Sequence, residues 1–203
     1  MNMSIIASAR LRERPFEYAA NGVTVVLKSG YAAGTTGKVQ GDNSGKIYTA
    51  VNESQLRAMD VDTDDFTSVC TTLVTDMSFI FSSATSFNQP INNWDVSNVN
   101  NMIYMFSSAT SFDQPLDNWN VSNVTNMSNM FSNLLSFNQP LNNWDVSNVS
   151  MVNMQFMFDN AEVFNQDLSG WCVTNIGSEP FSFDTGADAW VLANSRPIWG
   201  TCP

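Results

Sequence analysis

A unit of about 25 residues recurs four times through the middle of the chain, and a recurrence this strict leaves few folds open. Val74 to Asn98 reads VTDMSFIFSSATSFNQPINNWDVSN, and Val99 to Asn123 reads VNNMIYMFSSATSFDQPLDNWNVSN. Val124 to Asn148 reads VTNMSNMFSNLLSFNQPLNNWDVSN, and Val149 to Asn175 repeats the unit with two residues inserted before Phe158. Columns hold through all four copies: Phe81, Phe106, Phe131 and Phe158; Phe87, Phe112, Phe137 and Phe164; Trp94, Trp119, Trp144 and Trp171. One unit cannot cover so many rings by itself, so each copy must shelter the next, and the columns read as core rather than as a cofactor site.

Each unit shows two hydrophobic periods. Val99, Met102, Met105, Phe106 and Ala109 fall at helical spacing, which predicts a helix of about three turns. Trp119 and Val121 alternate with Asn120 and Ser122, the period of a strand. Between them, Ser111 to Asn118 is turn chemistry, with Phe112 and Leu116 reaching inward. These readings predict an α/β fold: a short leucine-rich-repeat-like β/α solenoid of four repeats, at 74–98, 99–123, 124–148 and 149–175. An opening cap is expected over 46–73, a closing cap over 176–203 and an N-terminal extension over 1–45. Asn98, Asn123, Asn148 and Asn175 follow each expected strand and read as a structural ladder bonding the backbone of their own and adjacent coils. Triplets such as Asn123-Val124-Thr125, which match a glycosylation acceptor, are read as by-products of that ladder.

The segments WDVSNV, TNMSNMF and SFNQPLNNW resemble the BspA-like leucine-rich-repeat family, also called the surface-protein or Mycoplasma-lipoprotein repeat. The resemblance covers about residues 46–203 and implies a leucine-rich-repeat solenoid used for surface display, adhesion or protein binding. Most members carry a secretion signal or lipid anchor, and Met1 to Arg10 reads as neither. No run of 18 apolar residues is present, so no spanning helix is expected.

Charge is divided unevenly. Residues 1–57 hold seven bases and four acids, a net of +3; residues 58–203 hold Arg196 against fifteen acids, a net of −14, which gives the whole chain its −11. A body this poor in bases cannot neutralise phosphates, so no nucleic-acid partner is expected. The basic start, with Arg10, Arg12 and Arg14, reads either as a docking arm for an acidic surface or as a solvated segment. The first reading makes 1–45 an attachment segment for a larger assembly such as a capsid or tail.

Three cysteines allow one internal disulfide. Cys172 and Cys202 both lie toward the closing cap and are expected to pair outside a reducing cytosol, leaving Cys70 as a small buried residue. Histidine is absent, which removes triads and imidazole metal sites, and no phosphate-binding glycine loop occurs. Asp60, Asp62, Asp64 and Asp65 alternate like a calcium loop but lack its glycine and its closing glutamate. No metal or other cofactor is expected. Asp95 and Asp145 could flank a glycosidic bond only at the far end of the inverting separation, and nothing in an open row raises their pKa.

The outward side of the expected strands carries Asp95, Asn120 and Asp145 in one column and Ser97, Ser122 and Ser147 in another, a face suited to docking a host protein or glycan, or simply solvated. The expected function is therefore a non-enzymatic interaction module on an extracellular surface. It is read first as a capsid-decoration or fibre-like protein of a bacterial virus, second as a bacterial adhesin, and remotely as a carbohydrate-active enzyme.

Overall fold

The structure, a computed structural model, describes residues 14–191 and 195–203. Regular secondary structure among them is sparse and lies almost wholly before the repeats. It comprises β1 (Phe16–Tyr18), β2 (Val25–Leu27), β3 (Thr36–Gly37), β4 (Tyr48–Ala50), α1 (Glu53–Arg57) and β5 (Val69–Cys70), with 3-10 turns at Phe66–Ser68 and Met151–Asn153. β1 and β2 pair antiparallel; β3 pairs antiparallel with β4, which runs parallel to β5.

These strands enclose a small core of Phe16, Val25, Leu27, Val39, Tyr48, Ala50 and Cys70. The sheet β3-β4-β5 crosses residue 45, so the expected break between an attachment segment and the opening cap runs through one sheet. Strand β2 is also tied forward along the chain: Val25 N–H donates to the Asn93 carbonyl in the first repeat, and Leu27 N–H to the Thr72 hydroxyl in the opening cap.

The α/β solenoid expected from periodicity is overturned. The stretches read as helices contain no α-helix, only the 3-10 turn Met151–Asn153 in the fourth repeat, and the stretches read as strands contain no strand; both are chains of turns. In the first repeat, N–H groups of Ile80, Ser82, Ala84 and Phe87 donate to the carbonyls three residues back. Phe79 and Ser83 lie at φ 60° and 61°, the left-handed region that ends a helix wherever it occurs. The same pair of left-handed residues recurs as Tyr104 and Ser108, Asn129 and Asn133, and Phe156 and Asn160. Overlapping four-residue turns return the chain to one face every three or four residues. Met77, Phe81, Ala84 and Phe87 are therefore buried at a spacing indistinguishable from that of a helix.

These turns are where successive repeats bond. N–H groups of Met77, Phe79, Phe81 and Ser83 donate to the carbonyls of Asn101, Ile103, Met105 and Ser107 at 2.7–3.0 Å. Met102, Tyr104, Phe106 and Ser108 donate in the same way to Asn126, Ser128, Met130 and Ser132. Met127, Asn129, Phe131 and Asn133 continue the pattern into the fourth repeat. The backbone ladder thus runs through the segment read as helical, while the segment around each Trp is held mainly by side chains. Indole N–H groups of Trp94, Trp119, Trp144 and Trp171 donate to the carbonyls of Phe66, Ile91, Leu116 and Leu141, all buried. The amides of Asn98, Asn123, Asn148 and Asn175 donate back to Thr72, Ser97, Ser122 and Ser147 at 2.6–2.9 Å. A further row had no place in the sequence reading. The side-chain carbonyls of Asn88 and Asn138 and the carboxylate of Asp113 each accept the backbone N–H and the glutamine amide of the next repeat.

Inside, rings stack from repeat to repeat. Phe81, Phe106, Phe131 and Phe158 follow one another at 5.4–6.0 Å with near-parallel planes, and so do Phe87, Phe112, Phe137 and Phe164 at 5.8–6.1 Å. Trp94, Trp119 and Trp144 stack at 6.4 and 6.5 Å. At both ends the geometry turns. Phe66 meets Phe81 and Phe87 edge-on, at 68° and 81°. Phe183 meets Phe158 at 77°, and Trp190 meets Phe164 at 84°. An edge laid on a ring face satisfies the quadrupole and leaves no parallel surface for another repeat.

Side chains close the ends of the backbone ladder as well. At the start, the Arg57 guanidinium donates to the Ser78 and Asp76 carbonyls, and Glu53 accepts from the N–H groups of Thr75 and Asp76. At the far end Cys172 and Cys202 are joined in a disulfide, Arg196 is paired with Asp184, and its guanidinium lies over the Trp190 ring. Cys70 is a buried free thiol whose Sγ donates to the Val25 carbonyl, and burial pushes that thiol up.

Candidate functional site

The residues expected to form an outward binding face divide. Asp95 is 4% exposed: Oδ1 accepts from the Ser97 N–H and hydroxyl, and Oδ2 accepts from the Thr72 hydroxyl. It is a fastening between repeats and not a ligand-facing group, which corrects its expected role and removes the carboxylate pair it was to make with Asp145. Asn120 and Asp145 are exposed, but each spends Oδ1 on a residue two places on, Ser122 and Ser147 respectively. An Asx side chain bonding the backbone two residues ahead makes a local turn. The six residues are therefore turn-forming pairs (Asp95 with Ser97, Asn120 with Ser122, Asp145 with Ser147), of which the second and third keep a solvent-exposed member. Asp95, Ser97 and Asn120 also line a cleft whose other wall is Ala19, Ala20, Asn21, Thr24 and Val26.

Arg10 and Arg12 lie outside the described residues. Arg14 is exposed, yet its guanidinium reaches back to the Val39 carbonyl at 2.9 Å and so is tied to its own chain. The aspartates at 60–65 bond one another's backbone, Asp62 accepting from the Ser86 hydroxyl, and no three Cys, Asp or Glu among the described residues form a group able to hold a metal ion. Nor is any helix among them long and apolar enough to cross a membrane.

The ladder face offers a different site. Its buried residues, Met77, Phe81 and their equivalents, point inward, so the left-handed residues between them point out. Phe79, Tyr104 and Asn129 each donate the same N–H to the next repeat, and Phe156 donates its own to Phe181 in the closing cap; at φ 60°, 56°, 58° and 58° the four form one row. Phe79 is 53% exposed and stacks on Tyr104 at 5.0 Å. Phe156 lies edge-on to Phe181, 5.2 Å away and 66% exposed, at the far end of the row. Beside this ridge runs a second row, Ser83, Ser108, Asn133 and Asn160, also left-handed and half-exposed or exposed.

A bulky residue at positive φ is an outlier that costs on the order of 1–3 kcal/mol, whereas Asn tolerates the position. The third repeat has Asn129 there, so the turn itself calls for no ring. Phe79, Tyr104 and Phe156 are thus held against local preference, Phe79 exposed and the other two partly exposed. Asp159, between the two rows, is held toward its neutral form by burial.

A family profile described as "Mycoplasma protein of unknown function, DUF285" matches residues 49–171 and 137–188, well over half of the chain. The chain belongs to this family. No curated protein and no solved structure matches it. DUF285 membership is the Mycoplasma side of the resemblance read from the repeats. The leucine-rich-repeat type falls with the α/β fold already corrected. The profile begins at Thr49 in β4, so the hairpin β1-β2 and β3 lie outside the DUF285 match.

Proposed function

We propose that the chain is a non-enzymatic interaction and display module, a stiff stack of turns that holds a partner-facing surface away from its carrier. The observation that supports it most is the ladder face: three rings kept in left-handed turns and left uncovered by the core, Phe79 exposed and Tyr104 and Phe156 partly so. Strain of this kind persists where the surrounding structure over-determines it and collects at binding sites. Stacked ring columns and side-chain ladders between every pair of repeats supply that surrounding structure.

Two carriers follow from the sequence, a bacterial virus particle and a bacterial cell. Membership of a family described from Mycoplasma favours the cell. The described part of the supposed docking arm, residues 14–45, shares a core with the opening cap and bonds the first repeat through Val25 and Asn93, which leaves attachment to be found by experiment. Immunogold labelling of cells and of particles from the same culture assigns the carrier. In parallel, soluble full-length protein is added to the intact carrier and its host surface; saturable competition for attachment is expected. Failure of the protein to bind any surface, or turnover of surface glycan on incubation, refutes the module reading.

A further inference from the structure

We infer that the apolar patch of Met151, Val152, Phe156 and Phe181 docks residues 10–12 of a second copy of this chain, joining copies head to tail. The inference goes beyond the interaction-module reading and does not rest on it. The patch comes from the fourth repeat's departure from the others. Val74, Val99 and Val124 are each followed by two polar residues and then a buried Met, whereas four residues separate Val149 from Met154. The Asn153 carbonyl accepts the Met127 N–H as the Asn126 carbonyl accepts that of Met102, so the extra residues fall before Asn153, at Met151 and Val152. A 3-10 turn sets these two outward, 40% and 60% exposed, where the other copies are polar. The Ser178 hydroxyl donates to Met151 Sδ at 3.6 Å, which brings the turn against the loop that carries Phe181, and Phe181 lies edge-on to Phe156. A single exposed hydrophobic residue calls for no partner; a contiguous group does.

Charge and reach name the occupant. Residues 149–203 hold six acids and one base, Arg196, which is paired with Asp184. Glu179, two residues before Phe181, makes no ion pair among the described residues and is held toward its neutral form by partial burial and by the Asp184 carboxylate. An occupant that suits this surface carries an apolar side chain with bases beside it. Arg14, Lys28, Lys46 and Arg57 bond groups of their own chain, and Lys38 stands between Gly37 and the buried Val39. Arg10-Leu11-Arg12 supplies the required set, one apolar side chain between two bases. It falls short of the patch on its own chain. Arg14 is tied to Val39 in the opening core, and the three residues back to Leu11 span at most about 11 Å. Three ring spacings of 5.4–6.0 Å separate Phe81 in the first repeat from Phe158 in the fourth, and Phe181 lies beyond. Net charge −11 on each copy opposes a broad contact between bodies and favours one made through a basic segment. Each copy then offers one arm and one patch, a heterologous contact on the ladder face, clear of the edge-on rings that close the stack.

The test is analytical ultracentrifugation of the full chain over a concentration series, in which masses above that of one chain are expected. Arg10→Glu with Arg12→Glu (the arm variant) and Val152→Ser with Phe181→Ser (the patch variant) should each weaken association at least about tenfold, as loss of an interface anchor does. Val152 and Phe181 are exposed, so the patch variant should melt like the parent. Mixed in equal amounts, the two variants should form a dimer and nothing longer, because one keeps a working patch and the other a working arm. A labelled peptide of residues 1–14 should bind the arm variant and leave the patch variant untouched. Leu135→Ser, exposed in the third repeat, should associate like the parent. A parent that stays monomeric, association that survives both variants, or a mixture that yields no dimer overturns the inference. A monomeric parent whose arm variant alone binds the peptide assigns the patch to the chain's own segment, and overturns it too.

Discussion

Trp119 tests the physical basis of the whole stack, and Trp119→Phe is the sharpest way to ask. The indole is buried, its N–H donates to the Ile91 carbonyl of the previous repeat at 3.1 Å, and its ring lies between Trp94 and Trp144 at 6.4 and 6.5 Å. Phenylalanine keeps a ring but has no donor. The Ile91 carbonyl keeps the Trp94 N–H but loses this second donor, which costs about 0.5–1.5 kcal/mol. The emptied part of the indole volume adds ~1–2 kcal/mol, because stacked neighbours on both sides restrict collapse. The expected loss is therefore roughly 1.5–3.5 kcal/mol. For a chain of this size that lowers the melting temperature by roughly 3–14 °C. Thermal unfolding followed by near-ultraviolet circular dichroism reads it, with Val163→Ala, a surface change, as the control for ordinary substitution. A Trp119→Phe midpoint within 2 °C of that control, on the order of the scatter of surface changes, would refute the claim that the repeats are bound together through their indoles.

Three further outcomes follow from the ends of the stack. Replacing Cys172 and Cys202 with Ser should cost about 3–4 kcal/mol, because the bond closes a loop across 30 positions; hydrogen exchange should show the lost protection concentrated in residues 172–203. The Thr75 hydroxyl and N–H and the Asp76 N–H hold the Glu53 carboxyl below its usual 4.5. Its stabilising effect is therefore present above pH 4.5 and lost as pH falls through the lower folded value, so melting curves between pH 3 and 7 should show a shallower acid limb for Glu53→Gln. Cys70, buried and hydrogen-bonded, should react with a thiol reagent only under conditions that unfold the chain.

The columns of Trp, Phe and Met were legible because ring burial leaves a period that does not depend on backbone conformation. The conformation itself was not. Met102, Phe106 and Ala109 satisfy a helical period, but so does any chain that turns back on itself every three or four residues, and apolar spacing cannot separate the two. The signal that could have done so lay in the polar residues. Ser83, Ser108, Asn133 and Asn160 stand in the middle of the supposed helices, and Ser and Asn compete with a helix for its own backbone. Asp95 was misplaced because alternation around Trp94 gave the right faces for Trp and Val but could not show the Thr72 hydroxyl waiting above it. The ridge was invisible for a related reason. Phe, Tyr, Asn and Phe in one column look like drift inside a helix and become a pattern only once every member is found at positive φ.

The rings set edge-on at both ends, Phe66 at one and Phe183 with Trp190 at the other, have a consequence for how such a molecule changes over time. Neither terminus can accept another unit, so growth at either end is blocked. Duplication of an internal unit, in contrast, offers parallel faces above and below and a matching set of donors and acceptors. Reach is thus adjustable from within, one ring of the outer ridge at a time, while both closures stay as they are.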